Sequence, residues 1–195
     1  METALLTGLG LAGPAGLNAY IPLLTLALAD RVTDKINLTG PFAVLSSTPV
    51  IILLIVLLTV EIIVDKVPGA DHVNDVIQTF VRPAAGAILM MAATTNAVDL
   101  SPVVMAVLGI LTAGTIHAAK ATSRPAVTVG TGGVFNPVVS MGEDMLATVM
   151  SVAAIFVPVL AVLFLIILVV LAVWMFRKAR KAIGRGVDSV TGAQR

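Results

Sequence analysis

The chemistry in this 195-residue sequence is concentrated where acidic side chains press against apolar runs. One group is Glu61, Asp65, Lys66, Asp71, His72, Asn74 and Asp75, at the end of an apolar run and just beyond it. Glu61 and Asp65 are four apart, so they share a helix face, and Asp71 and Asp75 repeat that spacing after Pro68-Gly69. Carboxylates and an imidazole this close suit a hard divalent cation or a proton relay. For 71–75 the ordinary alternative is a solvated loop leading into an amphipathic interfacial helix capped by an aspartate. Glu61 is different, because apolar helix leads directly into it. An ionisable group inside a span faces a bundle interior or a watery path.

The second acidic pair, Glu143-Asp144, follows a Gly-rich interruption, Gly130-Thr131-Gly132-Gly133-Val134-Phe135-Asn136-Pro137. A similar interruption lies near the N-terminus, where Gly16-Leu17-Asn18 is flanked by Pro14 and Pro22. Broken helices are tolerated in a membrane where they line a cavity, and paired breaks point to a transport site. The competing reading is that small residues simply let helices pack closely. Two Arg-Pro steps, Arg82-Pro83 and Arg124-Pro125, suggest helix starts, with Pro in the first turn. Their arginines suit a headgroup or anion contact, or boundary snorkelling.

The elements that must position these groups follow from composition. Of all residues 58% are hydrophobic and 12% charged, with a mean hydropathy of +1.05. A soluble domain carries about 25% charged residues, so too few polar side chains remain here to coat a surface in water. Apolar stretches at 3–29, 42–64, 83–98, 102–121, 126–141 and 147–176 read as helices, because barrel strands would alternate. The expectation is an all-α, polytopic transmembrane bundle of five to six spans, with broken or re-entrant helices near 13–22 and 130–140. Residues 1–180 form one transmembrane domain, and 181–195 form a basic, disordered cytoplasmic tail.

Arg177, Lys178, Arg180, Lys181 and Arg185 place the C-terminus in the cytoplasm, and six spans would place the N-terminus there too. There are no cysteines, so disulfides and thiolate chemistry are excluded. His72 and His117 lack a second histidine at zinc spacing, and the Gly130 run has no Lys-Ser/Thr to make it a phosphate loop. No cofactor and no nucleic-acid partner are expected.

Gly16-Leu17-Asn18-Ala19-Tyr20-Ile21-Pro22, Val64-Asp65-Lys66-Val67-Pro68-Gly69, Phe80-Val81-Arg82-Pro83-Ala84-Ala85-Gly86 and Asn136-Pro137-Val138-Val139-Ser140 together carry a resemblance. In these strings the chain resembles the small bacterial membrane proteins grouped as domain-of-unknown-function family 4126. The resemblance runs from about Gly8 to Arg180. It implies a bacterial inner-membrane protein and transfers no mechanism.

The functional expectation is a small permease, channel or lipid translocase with a polar path between the two breaks. Asn18, Glu61, Asp65, Asn136, Glu143 and Asp144 would line the path, and Arg82 or Arg124 would contact a headgroup or anion. Its partners would be the bilayer, an ion, proton or phospholipid, and a second copy of the chain in a homodimer. Two further classes stay open: a non-transporting scaffold or assembly factor, and an intramembrane metal enzyme built on Glu61, Asp65 and a third ligand. Between enzyme and non-enzyme, the expectation is non-enzyme.

Overall fold

Backbone inside hydrocarbon must satisfy its own N–H and C=O groups, so long apolar runs close into helices. The computed structural model describes residues 2–65, 70–95, 97, 100–171, 173, 174 and 177, without the side chains of 70–73, 75 and 126. Its elements are α1 (Glu2–Ala15), α2 (Tyr20–Val32), a 3₁₀ helix (Gly40–Ser46), α3 (Thr48–Val64), α4 (Ala70–Thr94), α5 (Pro102–Thr131) and α6 (Asn136–Phe156). A last apolar helix, α7, covers Pro158–Leu171. No strand occurs among the described residues, and the all-α bundle expected above is what forms. The expectations for Lys66, for the tail beyond Arg177 and for the side chains of Asp71, His72 and Asp75 fall outside the described residues.

The first apolar segment is a hairpin, not a crossing. Thr3, Ala4 and Thr7 of α1 line the same cavity as Lys35, Ile36 and Asn37 just beyond α2. The two helices therefore enter and leave at one end of the bundle, with 16–19 as the tip. They are 14 and 13 residues long, which gives a reach of about 20 Å against a hydrocarbon core about 30 Å thick. The break expected near 13–22 occurs, at 16–19, and the chain folds back there.

Small residues let the other helices close around α1. A Cβ on Gly86 would lie 2.5 Å from the Gly109 carbonyl, so α4 and α5 touch backbone to backbone. Gly8 faces Met90 of α4, and Gly16 faces Ala113 and Ile116 of α5. On the other side Gly10 faces both Ala154 and Ala161, and Gly13 faces Leu165. These contacts make α6 and α7 a second hairpin, turning at Val157, where Pro158 lacks the N–H that would continue the ladder. In α3 the buried residues are Ile51, Leu54 and Glu61. Ile52, Leu53, Ile55, Val56, Val60 and Ile63 are exposed, an apolar face suited to lipid.

By length and hydropathy, α4 from Val76, α5 and α6 can each cross a bilayer, and the 3₁₀ helix with α3, bent by 62°, gives a fourth if the bent pair counts as one span. The expected count of five to six is therefore too high for the described residues. Segment 3–29 folds back on itself. Segment 126–141 is not a unit either: Pro125 lies inside α5, which ends only where Gly132 turns left-handed (φ 61°), and α6 begins at Asn136.

Candidate functional site

The hairpin tip exposes broken backbone, and other helices supply its partners. Leu17 and Asn18 still donate to the Pro14 carbonyl at 2.9 and 3.1 Å. Asn18 Oδ1 then accepts from the N–H groups of Tyr20 and Ile21, which caps α2. Its Nδ2 donates to Asp144 Oδ1 of α6 at 3.0 Å. The Leu17 carbonyl, left without a helical partner, accepts from Lys120 Nζ of α5 at 2.9 Å. The tip is thereby tied to two helices by a charged group on each.

Lys120 continues into a cluster. Its Nζ lies 3.0 Å from Glu143 Oε2 and 3.5 Å from Asp65 Oδ2. Arg124, one turn further along α5, reaches the same two oxygens at 2.7 and 3.4 Å. Asp65 also accepts from Ser140 Oγ and Asn74 Nδ2. Asp65 stands just past the last residue of α3. Burial alone would push its carboxyl up, but Lys120, the Asn74 amide, Arg124 and Arg82 together hold it below the ordinary carboxylate value. Asp65 is thus kept ionised.

A second cluster lies beside the first. Arg82 Nη2 donates to Glu61 Oε1 at 2.9 Å, and Arg82 Nη1 is 2.9 Å from His117 Nδ1. A guanidinium only donates, so His117 Nδ1 must accept. The imidazole is then neutral, and its proton sits on Nε2, 3.0 Å from Thr79 Oγ1. Glu61 and Arg82 are 2% and 0% exposed, a fully desolvated pair.

Of the residues singled out from sequence, Asn18, Asp65, Arg124, Glu143 and Asp144 meet in one network, and Glu61 and Arg82 adjoin it. Asn136 is buried at the α5–α6 turn, where it exchanges hydrogen bonds with Thr128. The two arginines do not stand at helix mouths as expected, because Pro83 and Pro125 lie inside α4 and α5. Both arginines are buried against carboxylates. His117, Lys120, Gln78 and Ser140 were missed as site residues. His117, Lys120 and Arg124 share a helix face only if the helix runs past 121 to Arg124, and the segment read from sequence ends at 121. Among the described residues no three His, Cys, Asp or Glu groups are placed to hold a metal.

A cavity of about 560 Å³ lies at the opposite end of the bundle, lined by Thr3, Thr7, Lys35, Asn37, Ala93 and Phe156 among others. Leu11, Ala15, Leu26, Leu89 and Met90, all 0% exposed, form part of the bundle core between Thr7 and the hairpin tip. From Thr7 to Ala15 this dry stretch is about 12 Å long.

No curated protein and no solved structure matches this chain. A family profile described as Domain of unknown function (DUF4126) matches residues 5–178. That interval takes in all but the first three residues of the hairpin, the other described helices up to α7 and every named member of the charge network. The chain is an integral membrane protein in character, and it belongs to the DUF4126 family.

Proposed function

We propose that the protein is a small permease in which the α1–α2 hairpin separates a charge network at one end from a cavity at the other. The observation that carries this reading is the coupling of a re-entrant tip to buried charges: Lys120 on the Leu17 carbonyl and Asp144 on Asn18. Half-helices ending at charged groups within a bundle are the usual construction of a membrane transport site. The apolar packing around Leu11 and Met90 argues against a standing channel, so passage requires the hairpin to move. Glu143, with its side chain 13% exposed, is one edge of the network that reaches toward water.

In this reading Glu61, Asp65, Glu143 and Asp144 supply proton or cation coupling, and the chain catalyses no covalent reaction. It would work in a bacterial inner membrane with its basic tail in the cytoplasm. The test is flux. Purified protein in liposomes should move protons or a small charged solute well above protein-free vesicles, and a Lys120→Met variant should lose most of that flux. No transport of any ion, proton or lipid across a broad panel would overturn the proposal.

A second reading, a non-transporting scaffold, is favoured by one observation: each of the four carboxylates has at least one partner. It expects no flux, and network variants that change only folding and partner capture.

A further inference from the structure

Among its described residues the buried network holds one more carboxylate than cation. Its described members include four carboxylates, on Glu61, Asp65, Glu143 and Asp144, and three cations, on Arg82, Lys120 and Arg124. His117 cannot make up the difference, because Arg82 Nη1 faces its Nδ1 and holds the ring neutral. An uncompensated charge away from water is expensive, so a site for the missing charge should leave its mark.

Two oxygens carry that mark. Glu61 Oε2 and Gln78 Oε1 are buried and have no hydrogen-bond partner, and their residues are each 2% exposed. Gln78 and Arg82 are four apart on α4, so the Gln78 amide lies on the face that presents Arg82 to Glu61. Tyr20, the first residue of α2, lies at the same corner, near Gln78, Glu61 and Arg82. Both oxygens are acceptors, and neither can satisfy the other while Glu61 is ionised. Among the described residues the other charges within reach of Glu61 are Lys120 on α5 and Asp65 at the end of α3.

We propose that Glu61 Oε2 and Gln78 Oε1, with Tyr20 at the rim, form a binding site for one monovalent cation, either a proton on Glu61 or a sodium-sized ion between the oxygens. Either occupant satisfies both acceptors and brings the described network to balance. A proton makes Glu61 a donor to Gln78. A bare alkali cation takes oxygen ligands of this hard, neutral-plus-anionic kind. The site deepens the permease reading by naming its coupling ion and rests on that reading for its role, while occupancy is measurable without any transport.

The experiment uses the full chain in nanodiscs. Thermal unfolding is followed with NaCl against choline chloride at constant ionic strength, and infrared spectra are recorded over the carboxylic C=O region. Sodium occupancy predicts a midpoint that rises saturably with NaCl and not with choline, and that Gln78→Leu abolishes the rise. Proton occupancy predicts no sodium effect and a protonated-carboxyl band that disappears in Glu61→Gln and shifts in Gln78→Leu. Gln78→Leu retains the Glu61–Arg82 pair, so the test survives if Glu61→Gln does not fold. A Gln78 amide turned end for end would supply the missing donor itself. In that case neither the sodium rise nor the Glu61 band appears, and the site is overturned. Occupancy without flux in liposomes would remove the permease reading alone, and flux with neither signature would remove the cation site alone.

Discussion

The two Gly/Asn/Pro interruptions look alike in sequence and end in opposite situations. At 16–19 the free carbonyl of Leu17 and the Asn18 amide are met by Lys120 and Asp144, more than a hundred residues away. At 132–135 the chain turns on two glycines with φ of 61° and 82°, and Asn136 bonds to Thr128 across the turn. A Cβ on Gly16 would collide with the Ala113 carbonyl, whereas Gly130 and Gly132 have nothing near them. The difference teaches that a break becomes a candidate site through where its polar groups find partners, and not through the break itself.

Substitutions can break this comparison. Lys120→Met should have the largest effect, because it strips the Leu17 carbonyl of its donor and leaves Asp65 and Glu143 sharing Arg124. Removing one partner from a buried ion pair costs about 3–5 kcal/mol, and detergent thermal unfolding should show it as a clear loss of midpoint. Gly16→Ala should follow, at about 1–3 kcal/mol for overpacking against fixed backbone. Asn18→Ala removes a helix cap and a long-range bond together, for about 1–2 kcal/mol. Asn136→Ala loses the bridge to Thr128, whose share should be about 1 kcal/mol. Gly130→Ala, with open space around it, should stay within about 0.5 kcal/mol. If the Asn136 and Asn18 variants were equally damaging, the contrast between the two breaks would fail.

Much of the site was legible because lipid makes polar residues conspicuous. Glu61 and Asp65 stood out by their spacing and by the apolar helix before them, and the structure buries Glu61 in α3 and Asp65 at its C-cap. Asn18 and Asp144 stood out separately, but nothing in the sequence says that they touch. The C-terminal part of α5 was misread because Arg124-Pro125 has the composition of a helix start. A proline in mid-helix costs about 3 kcal/mol in water, and inside a bundle neighbouring groups can offset part of that loss. Ending the segment at 121 hid the face that joins His117, Lys120 and Arg124. Hydropathy also cannot tell a hairpin from a crossing, since both are apolar runs of the same summed length. The return at 16–19 becomes visible only from the cavity that the two ends of the hairpin share.

The order of synthesis gives the hairpin an awkward history. It leaves the ribosome before α5 and α6, and the groups that quiet its bare backbone sit 103 and 126 positions downstream. At about 5–20 residues per second, those partners arrive roughly 5–25 seconds later. Until then the tip lacks the charged partners for its polar groups, so their pairing is a late event of assembly even though α1 can already lie against α4.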